Sequence, residues 1–100
     1  MLRYVFHPLA ARELDEAVEY LEAISSGKGQ ELAEQVRAAI ALIRQHPESA
    51  PRTRGAVRSI VVQPTARWHY TLHYRFKPGL IRILAVAHQR RQPFYWFGRR

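Results

Sequence analysis

Five histidines (His7, His46, His69, His73 and His88) and an arginine- and aromatic-rich tail are the groups here with chemistry to offer. The chain has no cysteine. That excludes a thiol nucleophile, a disulfide framework and any cysteine-ligated zinc or iron–sulfur cluster. His69 and His73 have helical ligand spacing but fall in a strand-patterned segment. There they share a face yet stand about 13 Å apart, at ~3.3 Å per residue, too far to share one metal. No acid follows Glu48 to complete a site, so neither a metal nor a cofactor is expected. Seven of the eight acids fall on helix-patterned segments, where solvation explains them, and Glu48 follows Pro47. No nucleophile-elbow pattern is present, and Gly27 and Gly29 follow a helical pattern rather than a strand, so no phosphate loop is formed.

Metal-free RNA cleavage needs groups that activate a 2′-hydroxyl, stabilise a phosphorane and protonate the leaving oxygen. Arg58, Arg67, Arg75, His88, Arg91 and Tyr95 supply the types. Tyr95, Trp96 and Phe97 could stack bases. The plainer readings are a structural histidine at a strand end and aromatic residues that pack the tail onto the core. Arg99 and Arg100 are expected to be mobile.

The charge is segregated. The net charge is +8, yet all eight acids lie before residue 49, against five cations there. Residues 49–100 carry eleven cations and no acid. Such a half-chain presents a positive surface to nucleic acid or to an acidic protein. Fourteen of the sixteen cations are arginine, the side chain whose planar fork matches phosphate and carboxylate. No apolar run approaches the roughly 18–20 residues that span a bilayer. The first residues, Met1 to Pro8, lack a signal-peptide pattern. No membrane partner and a cytoplasmic location are expected.

One hundred residues suggest one domain, 1–100. Residues 2–6 read as a short strand. Pro8 opens a helix carrying Leu14, Ala17, Val18, Leu21 and Ile24 at helical spacing. Ser25 to Gly29 is a turn, with Gly27 expected to cap the first helix. Leu32, Val36, Ile40 and Ile43 mark a second helix that stops before Pro47. Residues 47–55 form a connector. Strands are expected over 56–62, 67–76 and 80–88, the middle one alternating strictly and the last nearly apolar on both faces. The order is β-α-α-β-β-β. This is an α+β fold with a helical hairpin on one face of an antiparallel sheet and the first strand at an edge or beside the last.

Several local patterns resemble the RelE/ParE superfamily of bacterial type II toxin–antitoxin toxins. Val5-Phe6-His7-Pro8-Leu9-Ala10-Ala11-Arg12-Glu13-Leu14 is similar to the family's strand–Ser-Pro-x-Ala…Leu opening, with His7 where Ser is usual. Pro47, Val57-Arg58 and Tyr70-Thr71-Leu72-His73-Tyr74-Arg75 fit further positions of the pattern. The stretch from Ile83 through His88, Arg91 and Pro93 to Tyr95-Trp96 resembles the closing Val-x-His-x-x-Arg-x-Pro-x-Tyr-Trp signature.

The resemblance implies one of two activities, poisoning of DNA gyrase (ParE-like) or metal-independent mRNA cleavage in the ribosome (RelE-like). The nuclease branch usually has a basic residue where this chain has Thr71, and another near Gln89. The gyrase branch is therefore favoured, with a non-enzymatic action. On the nuclease alternative, Arg58, His88, Arg91 and Tyr95 would be catalytic. The resemblance also implies a cognate antitoxin. An acidic segment that folds on binding would suit the basic half. Contacts with antitoxin or target are expected at Arg58, Arg67, Arg75, Arg90, Arg91, Tyr95 and Trp96. A plain nucleic-acid-binding module is the remaining reading.

Overall fold

A computed structural model describes residues 2–62 and 69–100. The chain runs β1 (Arg3–Phe6), α1 (Pro8–Ile24), α2 (Lys28–Gln45), β2 (Arg52–Arg54), β3 (Val57–Val62), β4 (Tyr70–Lys77) and β5 (Leu80–His88). The sheet order is β1-β5-β4-β3-β2. The expected α+β architecture is present, with two differences. The connector contains β2, which pairs antiparallel with β3, and β1 runs parallel to β5 rather than antiparallel. A parallel neighbour needs a long crossover, and the whole α1–β4 segment supplies it. Arg67 and Trp68, placed by sequence in the middle strand, lie outside the described residues.

The helices cover one face. Leu21, Leu32, Val36 and Ile43 pack with Tyr70, Leu72, Tyr74, Ile81, Ile83 and Val86 in one apolar cluster. Each aliphatic side chain buried in this way contributes on the order of 1.5–3 kcal/mol. Tyr74 is fully buried and keeps its hydroxyl satisfied by donating to the Pro47 carbonyl at 2.8 Å.

The helical hairpin turns within three residues. Ser25 caps the C-terminus of α1, and Gly27, at φ 91°, is the N-cap of α2 rather than the C-cap of α1. Gly27 has no side chain to cap with. Glu22 reaches over from α1 and accepts the N–H groups of Gly27 and Gln30, both at 3.1 Å. These bonds hold the Glu22 carboxyl below the usual range. Gly29 is required for packing, because a Cβ there would stand 2.3 Å from the Val18 carbonyl oxygen.

One irregularity shapes the opposite face. Along β4 and β5 the register shifts between His73, opposite Ala85, and Tyr74, opposite Ile83, leaving Leu84 as the extra residue. Ile83 and Val86 therefore both face the helices, while Leu84 and Ala85 both face away and form a second cluster with Val57 and Trp96. The bulge makes this outer face apolar at its centre, ready to be covered by the tail.

Candidate interaction site

Residues 89–100 fold back across the outer face in successive turns. Phe97 N–H donates to the Phe94 carbonyl and Arg99 N–H to the Trp96 carbonyl. The anchor is Trp96, only 2% exposed. It sits on Val57, Leu84 and Ala85, with its ring 4.6 Å from that of His73. Phe94 meets Trp96 edge-on at 5.9 Å and adopts φ 60°. A left-handed non-glycine residue costs on the order of 1–3 kcal/mol. Burial of a tryptophan is worth about 3–5 kcal/mol by its truncation cost, so the packing outweighs the strain.

Under the tail lies a polar relay. The Ser59 hydroxyl is bonded to His73 Nδ1 at 2.7 Å and also to the Thr53 hydroxyl. Burial lowers the His73 pKa to about 4, and Glu13 opposes that only in part. His73 is therefore neutral at pH 7.

Glu13 is the second anchor. The acids were expected on solvated helix faces and Arg99 in a mobile end. Instead, both Glu13 oxygens accept from the Arg99 guanidinium at 3.0 Å, and Oε1 also accepts the Val86 N–H at 3.0 Å. Arg99 donates further to the Leu84 carbonyl at 2.9 Å. The pair is nearly buried, 12% and 15% exposed. The physical reason is strand length. β1 pairs with β5 only from Leu80 to Ile83, which leaves the β5 edge beyond Ile83 without a strand neighbour. An N–H and a carbonyl on that edge are satisfied by Glu13 and Arg99 in place of a strand.

The expected site residues do not form one cluster. Arg91 lies over the Tyr95 ring at 3.9 Å, with Arg99 on the same ring at 5.1 Å. Burial, with Glu13 beside it, pushes the Tyr95 phenol up, so it stays protonated. Arg58 lies elsewhere. It pairs across the strands with Tyr74, whose side chain belongs to the helix-side core, and donates to the Glu48 and Ala50 carbonyls at 2.9 and 2.8 Å. His88 pairs with Tyr70, another helix-side residue, and meets its ring edge-on at 5.3 Å. His88 Nδ1 accepts the Arg90 N–H, and burial together with Arg90 lowers its pKa. Arg90 is exposed in the turn after β5, and Arg75 is half-buried on the outer face. Trp96 supports the surface rather than forming it.

Two clefts meet at Trp96. One, of about 240 Å³, brings together His88, Arg91 and Tyr95, with Thr53, Thr71 and His73 among its other lining residues. The second, of about 260 Å³, is lined by Arg54, Arg75, Phe97, Gly98, Arg99 and Arg100 among others. Arg54 lies over the rings of Phe94 at 5.0 Å and Phe97 at 4.4 Å. Sequence reasoning missed Arg54 and Glu13. Arg54-Gly55-Ala56-Val57 carried a hairpin signal that could have lifted Arg54 from the connector into a strand. Glu13 and Arg99 are too far apart in sequence for any local signal.

The geometry can be set beside known proteins. A search of curated proteins finds no match. Among solved structures, the chain resembles the chromosomal ParDE toxin–antitoxin system from P. aeruginosa, with a TM-score of 0.70 and 20% identity. That match covers 88% of this chain and 96% of the other, and it shows the fold. The family model for the ParE toxin of the type II toxin-antitoxin system parDE matches residues 4–93. With most of its length matched, the chain belongs to the ParE toxin family.

Proposed function

We propose that this protein poisons DNA gyrase in the cytoplasm and is neutralised by a cognate antitoxin, without acting as an enzyme. The observation that carries the non-enzymatic reading is the separation of Arg58 from the other ribonuclease candidates. His88, Arg91 and Tyr95 line one cleft, whereas Arg58 is held on the helix side by carbonyls of the connector. General acid–base cleavage needs its groups within hydrogen-bond reach of one phosphodiester. The Tyr95 hydroxyl is buried beside Glu13 with a raised pKa, which suits a structural phenol better than a proton donor. Membership of the ParE family supports the gyrase target.

The antitoxin partner is supported by family and by charge. The basic half has no acid of its own. An acidic segment that orders on binding would lie across the helical hairpin and reach the outer face. Arg75, Arg90, Arg91 and Tyr95 are the proposed contacts with partner or target there. Arg58 and Trp96 keep that surface in shape, and Arg67 is proposed alongside from sequence alone.

Pulse labelling after tightly controlled induction in bacteria tests the reading. Early loss of DNA synthesis with translation intact is expected. Early loss of translation would overturn it in favour of mRNA cleavage.

A further inference from the structure

We propose that the cleft between the β2–β3 turn and the end of the tail binds the phosphate backbone of a single-stranded nucleic acid, with Phe97 stacking a base. Arg54, Arg75 and Arg100 line it, and none of its lining residues is an acid. Among the described residues there are two ion pairs, Lys28–Glu31 and Arg99–Glu13. Of the four arginines in the cleft, only Arg99 is thus neutralised by a carboxylate. Three positive charges around about 260 Å³ of open space suit a polyanion.

The aromatic residues decide what kind. Phe97 is 64% exposed, and Arg54 lies over its ring at 4.4 Å. Gly98, at φ 97°, turns the chain immediately after it. An exposed ring held by an arginine beside a cationic cleft is the arrangement that stacks a base while phosphates are held. A free anion or an acidic peptide would use the arginines and leave Phe97 without a role. The cleft also joins a neighbour. Trp96 lines both clefts, Phe94 and Arg91 line the other, and Arg54 spans Phe94 and Phe97. Cationic surface therefore continues past the first phosphate, as a strand requires. Duplex bases are stacked internally and have no face to offer Phe97, so a single strand is the ligand. The contacts use phosphate and base faces, which DNA and RNA share. The inference does not depend on gyrase as the target.

Fluorescence anisotropy with short labelled oligo(dT), oligo(rU) and a duplex, across a salt series and with no gyrase present, tests it. For a single strand the slope of log affinity against log salt is about −0.7 per neutralised phosphate, so three arginines give about −2. Combined Arg54→Gln, Arg75→Gln and Arg100→Gln should remove most of that slope. Phe97→Ala should weaken binding roughly tenfold at fixed salt, and Phe97→Tyr should restore it. Arg12→Gln, exposed on α1, is the control, and circular dichroism checks each fold. A strong preference for oligo(rU) over oligo(dT), or the reverse, would identify the strand while supporting the site. Tighter binding to duplex, or equal affinity and slope in the triple variant and the control, would overturn it.

Discussion

Among single residues, His73 is the most sensitive to its surroundings. It is buried between Ser59 and Trp96, and burial lowers its pKa to about 4 from the ordinary 6.5. A histidine whose folded pKa lies below its unfolded one binds more protons when unfolded. Its contribution is intact above pH 6.5 and is lost as pH falls toward 4. The linkage predicts a loss of roughly 3 kcal/mol between pH 7 and pH 4. His73→Phe keeps a ring against Trp96 and should lose that part of the pH dependence. Urea unfolding of both proteins at the two pH values measures it, and equal losses would refute the assignment. His7 responds in the same direction, because its Nδ1 accepts the Leu9 N–H and must be unprotonated to do so. Burial, then Arg99 and Arg82, lowers its pKa. The family's usual serine at this position would cap α1 equally well, without the titration.

At the scale of elements, the edge of β5 is the feature that joins tail to sheet. Glu13→Gln should leave Arg99 nearly buried without its counter-charge and weaken the hold on the Val86 N–H. Breaking such a pair costs about 3–5 kcal/mol when fully buried, and the residual exposure here places the loss nearer 3. Lys28→Gln, which breaks an ion pair 36% and 43% exposed, should cost only a few tenths of a kcal/mol. Thermal or urea unfolding of the two variants separates them, and similar losses would mean that the Glu13 pair is only decorative. These elements also mark what was legible in the sequence. Periodicity gave both helices and the β3, β4 and β5 strands, because period 3.6 and period 2 are written locally. The run from Leu80 to Ala87, apolar but for Arg82, correctly placed β5 inside the sheet, flanked by β1 and β4. The parallel pairing of β1 and the bulge at Leu84 were not legible, since both are set by partners distant in sequence. The same is true of the site. Arg75, His88, Arg91 and Tyr95 were named from their types, but the helix-side position of Arg58 follows from strand register.

For the whole molecule, charge and covering act together. The helices close one face of the sheet, and the tail closes part of the other through Trp96 and Arg99. Arg54, Arg75, Arg90, Arg91 and Arg100 are left to meet partners. Among the described residues, no helix is long and apolar enough to cross a membrane. We propose that this surface acts on gyrase rather than on messenger RNA. The most direct measurement is a supercoiling assay with purified gyrase and the purified protein, resolving relaxed, supercoiled and linear DNA. Loss of supercoiling with accumulation of linear DNA, abolished by prior addition of the cognate antitoxin, is the predicted result. Unimpaired supercoiling under conditions where the same protein cuts messenger RNA on ribosomes would contradict it.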